Sequence, residues 1–199
     1  MKFFVNFLSA FRIAAAFAII PTLMFQMYWT SLILFVLGAI SDWFDGFLAR
    51  KYNVCTKIGG VMDHIGDKLL VVNTFIMLTV MMPVWFIVVP VIIMIARELY
   101  ISGLREFLGT QKIEMPVPKA RFSMGKIKTT LQMITLVAFL GLFAMTTSVT
   151  PETLTAHMLR AMNIIFQIGI IGLWLSLLAS LWSATQYTFT FAEKIKKIK

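Results

Sequence analysis

Residues 42–67 read DWFDGFLARKYNVCTKIGGVMDHIGD, and this stretch decides the fold. It contains all the aspartates of the chain, Asp42, Asp45, Asp63 and Asp67. It spans the end of one long apolar segment, Ser31–Leu48, and the start of the next, Gly60–Met82. An acidic side chain within reach of hydrocarbon is costly and marks a functional site by default. The stretch therefore predicts two membrane spans joined by a short connection. The acidic site would lie where the first span ends and the second begins.

The overall composition is that of a membrane protein. Of the 199 residues 59% are hydrophobic and only 14% are charged, with a mean hydropathy of +0.86. A soluble domain carries about 25% charged residues, so the composition excludes a soluble globular protein, a disordered chain and a nucleic-acid-binding domain. The net charge of +9 then indicates basic loops beside anionic lipid. The single Cys55 permits no internal disulfide.

The apolar segments predict six membrane spans. They are Ile13–Trp29, Ser31–Leu48, Gly60–Met82, Val84–Leu108, Ile127–Met145 and Met158–Phe191. The first run is longer than the core of a signal peptide, so we expect a retained helix. The chain shows no internal repeat or second domain, which predicts a single membrane domain, residues 1–199.

The connections between the segments alternate in charge. Those at residues 28–31, 81–84 and 146–157 contain no Lys or Arg. The others hold Lys2 and Arg12, then Arg50, Lys51 and Lys57, then Lys112, Lys119, Arg121, Lys126 and Lys128, then Lys194, Lys196, Lys197 and Lys199. The positive-inside rule then predicts that both termini and the basic connections face the cytoplasm.

Helical spacing places the acidic residues on two stripes. Positions i, i+3, i+4, i+7 and i+8 hold Asp42, Asp45, Gly46, Ala49 and Arg50. Positions i, i+4 and i+8 hold Gly59, Asp63 and Asp67. Each set shares one helix face, and the short connection predicts that the two helices are antiparallel neighbours with facing stripes.

Four carboxylates in a low-dielectric site cannot all stay ionised without a cation. Their hard oxygens favour Mg²⁺, Mn²⁺ or Ca²⁺ over zinc. Gly46 and Ala49 leave room beside them, and Arg50 has a planar fork that suits phosphate. These features together predict a phosphate-ester or diphosphate site. The simpler alternative is that the carboxylates only pair with Arg50 and Lys68.

The spacing D-x2-D-G-x2-A-R-x8-G-x3-D-x3-D, from Asp42 to Asp67, resembles the signature of the CDP-alcohol phosphotransferase family at all eight specified positions. The early stretch Asn6–Arg12 is similar to the family's N-x-L-T-x-x-R stretch, with Ser9 in place of Thr. Between Asp63 and Asp67 the chain has His-Ile-Gly, where relatives commonly have Pro and Ala.

The resemblance implies an all-α, polytopic membrane enzyme with six transmembrane helices, usually a homodimer. Such enzymes transfer a phosphatidyl or similar group from a CDP-linked donor to an alcohol and release CMP. The implied metal ligands for two ions, Mg²⁺ or Mn²⁺, are Asp42, Asp45, Asp63 and Asp67. Asp67 would also be the general base. The implied CDP-diacylglycerol pocket consists of Asn6, Ser9, Gly46, Ala49, Arg50, Thr56 and Gly59.

A second cluster, of basic residues, indicates the acceptor. We expect Arg97, Ser102, Arg105, Lys126 and Lys128 to form a positive pocket beside the aspartates, which suits a dianionic acceptor such as a sugar or polyol phosphate. The strings R-E-x3-S-G-L-R-E and G-K-x-K-T-x2-Q-M resemble the family subgroup that makes phosphatidylglycerophosphate from CDP-diacylglycerol and glycerol 3-phosphate. The resemblance covers residues 6–133, and the sixth helix adds little to it.

Other interpretations of the basic cluster remain open. The cations can instead snorkel to lipid headgroups, and Glu98 and Glu106 can pair with the arginines and orient them. The setting implied by the resemblance is the cytoplasmic (inner) membrane with the site facing the cytoplasm, membrane lipid as partner and no nucleic acid.

Three other functions compete with this prediction. The same fold can serve another acceptor, namely serine, inositol phosphate or phosphatidylglycerol. An intramembrane prenyltransferase would need two similar aspartate motifs in a longer chain. A divalent-cation transporter would need carboxylates near the middle of the membrane, often with repeat symmetry.

Overall fold

The computed structural model describes residues 2–52, 57–110, 124–150 and 154–196, and the side chains of residues 7–41, 61–62, 65–110, 127–150 and 154–195. Within these residues the chain is helical and has no strand, which confirms the all-α prediction. The helices are α1 (Lys2–Met24), α2 (Tyr28–Tyr52), α3 (Lys57–Met81), α4 (Trp85–Thr110), α5 (Met124–Ser148) and α6 (Ala156–Lys196).

Four of the helices carry stretches that are long and apolar enough to cross a membrane. These stretches are Phe7–Met24, Trp85–Thr110, Ile127–Ser148 and Ala156–Ile195, and the described part of α2 adds a shorter one, Tyr28–Ser41. Many large apolar side chains are exposed on the helices, among them Trp85, Leu178 and Trp182. Such side chains can face lipid, because lipid is as apolar as they are. Together with the long apolar helices, their exposure indicates a multi-pass membrane protein.

The structure corrects the predicted start of the first span. We expected Arg12 to lie in a basic connection before a helix that begins at Ile13, but α1 begins at Lys2 and Arg12 lies inside it, fully buried. The Arg12 Nε donates a hydrogen bond to the carbonyl oxygen of Gly38, at 3.3 Å. The guanidinium therefore has a protein acceptor in place of water, which allows it to be buried.

The first span also ends earlier than Trp29. α1 ends at Met24 because Gln26 adopts the left-handed conformation, with φ of 59°. The Met27 N–H then donates to the carbonyl of Thr22 at 2.8 Å, and the Gln26 N–H to that of Leu23 at 3.0 Å. This pattern of hydrogen bonds is the Schellman motif, which closes a helix at a left-handed residue.

The chain forms two compact units. The first unit comprises Met1–Met81 and Met133–Gly169, and the second comprises Met82–Gln132 and Ile170–Lys199. Helices α1, α2 and α3 thus belong to the first unit and α4 to the second, whereas α5 and α6 contribute to both.

In the first unit α1 packs against both α2 and α3, and α2 and α3 also touch each other. Its core consists of Ala15, Ala16, Ile19, Leu23, Phe35, Leu70, Phe75, Leu78, Leu136, Phe139, Leu140 and Ala144. α2 and α3 meet at Gly38, where an added Cβ would lie 2.8 Å from Leu70 Cδ2. The two helices therefore approach closely at Gly38, and a larger residue there would require the Leu70 side chain to shift.

In the second unit α4 is the central element. Glu98 of α4 contacts Lys128 of α5, and Met94, one turn earlier, contacts the later Gln132. α4 and α5 therefore run antiparallel. α4 also contacts α6, through Arg97 and Ser183 and, further along both helices, through Phe107 and Phe191. α4 and α6 therefore run parallel.

Candidate functional site

The predicted acidic stripes lie on two neighbouring helices of the first unit. α2 contains Asp42 and Asp45, and α3 contains Asp63 and Asp67, which confirms that each pair is on one helix. The side chains of Asp42, Asp45 and Asp63 lie outside the described residues. The Asp67 side chain is described and is partly buried. Among the described side chains, no three His, Cys, Asp or Glu residues lie close enough together to hold a metal ion.

Most of the predicted nucleotide pocket also lies outside the described side chains. This applies to Asn6 of α1, to Gly46, Ala49 and Arg50 of α2, and to Gly59 of α3, while Thr56 lies wholly outside the described residues. Ser9 is described and is fully buried in α1.

The carbonyl of Gly38 joins α1 to α2 one turn before the first aspartate. It accepts the hydrogen bond from Arg12 Nε and a second one, at 2.8 Å, from the Ser41 hydroxyl. Ser41 directly precedes Asp42. The backbone that carries Asp42 and Asp45 is therefore held against α1 by a fully buried guanidinium.

A matching contact holds α3 beside Asp67. A Cβ added at Gly66 would lie 3.3 Å from Ile13 Cγ1 and 3.5 Å from Arg12 Cδ, so α3 lies directly on α1 one residue before Asp67. Two turns later Asn73 Nδ2 donates to the carbonyl of Ala16, at 3.0 Å. α1 is thus a common support for both acidic helices.

We expect Arg12→Ala to destabilise the protein by about 2–4 kcal/mol. The change removes a long buried side chain and leaves a cavity between α1, α2 and α3, in addition to the lost hydrogen bond. Thermal and denaturant unfolding of the detergent-solubilised protein measures the loss.

The matched control is Ser31→Ala. It removes another α1–α2 hydrogen bond, from Ser31 Oγ to Thr22 Oγ1 at 2.9 Å, at the opposite end of α2 from the aspartates. Loss of this neutral hydrogen bond should cost only about 0.5–1.5 kcal/mol. Equal destabilisation by both changes would show that Arg12 is an ordinary helix contact.

In the second unit two of the predicted cations meet on one carboxylate. Arg97 Nη1 and Lys128 Nζ both donate to Glu98 Oε2, at 2.9 Å and 2.5 Å. Arg97 and Lys128 are 8% and 7% exposed. The expectation that Glu98 pairs with an arginine is confirmed, and these two cations do not snorkel to the surface in the described structure.

The third cation, Arg105, has different surroundings. It is exposed, and its Nη2 donates to the Tyr187 hydroxyl at 2.8 Å while its Cζ lies 4.9 Å from the centre of the same ring. A guanidinium over an aromatic face gains a cation–π attraction. Ser102 lies on the same helix and is partly buried, and the Lys126 side chain lies outside the described residues.

α6 supplies partners that the sequence interpretation missed. Ser183 accepts a hydrogen bond from Arg97 Nη2 at 3.0 Å, and Tyr187 holds Arg105. A signal for them was present, since Ser176, Ser180, Ser183 and Tyr187 follow the spacing i, i+4, i+7 and i+11. This spacing makes a polar stripe on one face of an otherwise apolar helix.

Comparison with known proteins identifies a family that the chain resembles over most of its length. A family model described as CDP-alcohol phosphatidyltransferase matches residues 3–192. A protein of Blochmanniella floridana is 29% identical over 196 residues, 97% of this chain and 93% of its own. A protein of Pectobacterium atrosepticum is 33% identical over 187 residues, 90% of each chain. A protein of Rickettsia bellii is 43% identical over 138 residues, 66% of this chain and 71% of its own. All three relatives are named CDP-diacylglycerol–glycerol-3-phosphate 3-phosphatidyltransferase.

Proposed function

We propose that this chain, which belongs to the CDP-alcohol phosphatidyltransferase family, transfers the phosphatidyl group of CDP-diacylglycerol to glycerol 3-phosphate. The products are phosphatidylglycerophosphate and CMP. The observation that carries the proposal is the match, over 90% or more of both chains, to relatives that are named for this reaction. The two acidic helices held on α1, and the buried cations of the second unit, supply residue types that the reaction needs.

The acidic residues of α2 and α3 suit divalent cations. Carboxylate oxygens are the ligands that Mg²⁺ and Mn²⁺ prefer, and Asp42, Asp45, Asp63 and Asp67 would hold two such ions against the diphosphate of the donor. When bound, the ions neutralise charge that develops on the phosphate oxygens. We assign the CDP contacts to Asn6, Ser9, Gly46, Ala49, Arg50, Thr56 and Gly59.

The bond changes in the reaction are simple. The hydroxyl oxygen of glycerol 3-phosphate forms a bond to the phosphorus of the phosphatidyl group, and the bond from that phosphorus to the CMP oxygen breaks. CMP leaves with the electron pair, and the hydroxyl proton passes to the Asp67 carboxylate. The close approach of α3 to α1 at Gly66, one residue before Asp67, supports this assignment, because correct placement of a base is a large part of its effect.

The acceptor phosphate requires fixed positive charge. We assign this role to Arg97, Ser102, Arg105, Lys126 and Lys128. In the second unit Arg97 and Lys128 are buried around Glu98, and Arg105 is held over Tyr187. A charged, hydrogen-bonded pocket of this kind discriminates strongly against an alcohol that lacks the phosphate.

We further propose one domain of six transmembrane helices with both termini in the cytoplasm. The helix directions support this topology, since α4 and α5 run antiparallel and α4 and α6 run parallel. The site would face the cytoplasm at the inner membrane, and the protein would be a homodimer.

Release of CMP tests the reaction directly. Purified protein in mixed micelles is given CDP-diacylglycerol, Mg²⁺ or Mn²⁺, and one labelled acceptor at a time from glycerol 3-phosphate, glycerol, serine, inositol phosphate and phosphatidylglycerol. We expect CMP release and a labelled lipid with glycerol 3-phosphate. A faster reaction with another acceptor would move the chain elsewhere in the family, and the absence of CMP release with every acceptor would contradict the proposal.

We expect Arg105→Ala to lower kcat/KM for glycerol 3-phosphate by roughly 10- to 100-fold. This is the effect of one charge-assisted hydrogen bond to phosphate, worth about 1.5–3 kcal/mol. The KM for CDP-diacylglycerol should stay within a few-fold, because the lost contact is to the acceptor. Initial rates with each substrate varied in turn separate the two effects.

Arg160→Ala is the control for loss of a positive charge. Arg160 is exposed on the part of α6 that belongs to the first unit, so its removal should leave the acceptor kinetics unchanged. If Arg105→Ala behaves like Arg160→Ala, the role of Arg105 is contact with lipid headgroups.

A further inference from the structure

We propose that Glu98 is an internal counterion that the acceptor's phosphate replaces at Arg97 and Lys128, and that this exchange sets the selectivity for phosphorylated acceptors. The inference rests on the proposed function, because it assumes that these cations bind the acceptor. It assigns a role to a carboxylate that the reaction itself does not need.

The first observation is that one carboxylate oxygen accepts hydrogen bonds from both cations. Glu98 Oε2 accepts from Arg97 Nη1 and from Lys128 Nζ. The side chains of Arg97 and Lys128 are 7% and 9% exposed, whereas that of Glu98 is 23% exposed. The carboxylate is therefore the member of this trio that is most open to solvent and to exchange.

The second observation concerns the donors of Arg97. Its Nη1 is bound to Glu98, its Nη2 is bound to Ser183, and its Nε is buried with no hydrogen-bond partner among the described residues. The bonds to Glu98 and Ser183 use two of the five guanidinium N–H donors, so Arg97 can also donate to an anion that takes the place of Glu98. A phosphate has enough oxygens to replace Glu98 at both cations and to offer an acceptor to Nε.

The charges explain how such an exchange would select the acceptor. Two cationic side chains and one carboxylate give the trio a formal net charge of +1. A neutral hydroxyl cannot displace a carboxylate from an ammonium and a guanidinium, but a dianionic phosphate can compete with it. After transfer the product keeps the phosphate of the acceptor, so the returning carboxylate of Glu98 would also speed product release.

The test uses Glu98→Gln, with inorganic phosphate as an inhibitor that competes with glycerol 3-phosphate. The amide keeps the size of the side chain and removes its charge. Loss of one negative charge beside a partly buried anion site should lower the Ki of phosphate by about tenfold. The KM for glycerol 3-phosphate should fall with it, and kcat should also fall because the product leaves more slowly. The KM for CDP-diacylglycerol should stay within about twofold.

Glu106→Gln is the matched control. It is the same substitution on the same helix, at an exposed position that makes no ion pair within the described residues, and it should leave the Ki of phosphate unchanged. In a Lys128→Met background the effect of Glu98→Gln should shrink, because one of the two cations for which Glu98 competes is gone.

A phosphate Ki that is unchanged or raised in Glu98→Gln would overturn the proposal and show that Glu98 only orients the cations. If the amide variant does not fold, Glu98→Asp gives the same decision. Its shorter carboxylate should hold the cations less firmly and lower the phosphate Ki by about two- to threefold, and an unchanged or raised Ki would again overturn the proposal. Failure of the native protein to use glycerol 3-phosphate would instead contradict the proposed function.

Discussion

Asp67→Asn should reduce turnover by about 10³-fold or more while the protein still binds CDP-diacylglycerol. The amide has the shape of the carboxylate but cannot accept the proton of the acceptor hydroxyl, and a general base contributes about 10²- to 10⁴-fold. The change is also small enough to preserve the contact of Gly66 with α1. CMP release measures turnover, and equilibrium binding of a CDP-diacylglycerol analogue measures the donor affinity.

A control variant and a comparison of the losses in turnover and donor affinity test this prediction. Glu193→Gln is the same kind of change at an exposed position near the end of α6, and it should leave both quantities unchanged. If Asp67→Asn weakens donor binding as much as it weakens turnover, Asp67 acts chiefly as a metal ligand, and the assignment of the base is wrong.

Asp63→Asn should nearly abolish turnover for a different reason. Asp63 precedes Asp67 by one helical turn on α3, and the proposed site needs its charge to hold a dication. A neutral amide is a much weaker ligand for Mg²⁺ or Mn²⁺ than a carboxylate. We therefore expect a loss of about 10³-fold or more at ordinary metal concentration, with partial recovery at high Mn²⁺.

Metal binding separates this effect from that of Asp67. Mn²⁺ titration followed by electron paramagnetic resonance should show two tight sites in the native protein and weaker binding in Asp63→Asn. The native protein should also lose activity in excess chelator and regain it when Mg²⁺ or Mn²⁺ is restored. Turnover at an undiminished rate in excess chelator would rule out the metal-dependent reaction.

Composition and local spacing were enough to predict the helical membrane fold and the two acidic pairs. Both properties are local, because hydropathy acts over one segment and helical periodicity relates residues within a few turns. The four aspartates are on α2 and α3 as predicted. The ends of the first span were less accurate, because burial of Arg12 and the left-handed Gln26 depend on contacts that hydropathy does not contain.

The basic cluster shows where prediction from the sequence stopped. The sequence identified Arg97, Arg105 and Lys128 as one group because they are cationic and close to span ends. In the structure these cations have different partners, because Arg97 and Lys128 both bind Glu98 whereas Arg105 binds Tyr187. The choice of partner depends on which helix lies beside α4, and no local pattern on α4 specifies this.

The sequence by itself thus determined the membrane class, the helical segments and the placement of the aspartates in pairs on α2 and α3. Only the tertiary structure decided that α1 supports both acidic helices and that α6 supplies partners for the arginines. The physical reason is the separation along the chain of the residues that make these contacts. Arg12 and Gly38 are 26 residues apart, and Arg97 and Ser183 are 86 apart. Such pairs form only when whole helices pack, and the packing of helices in lipid depends on close steric fit and buried hydrogen bonds more than on the hydrophobic pattern.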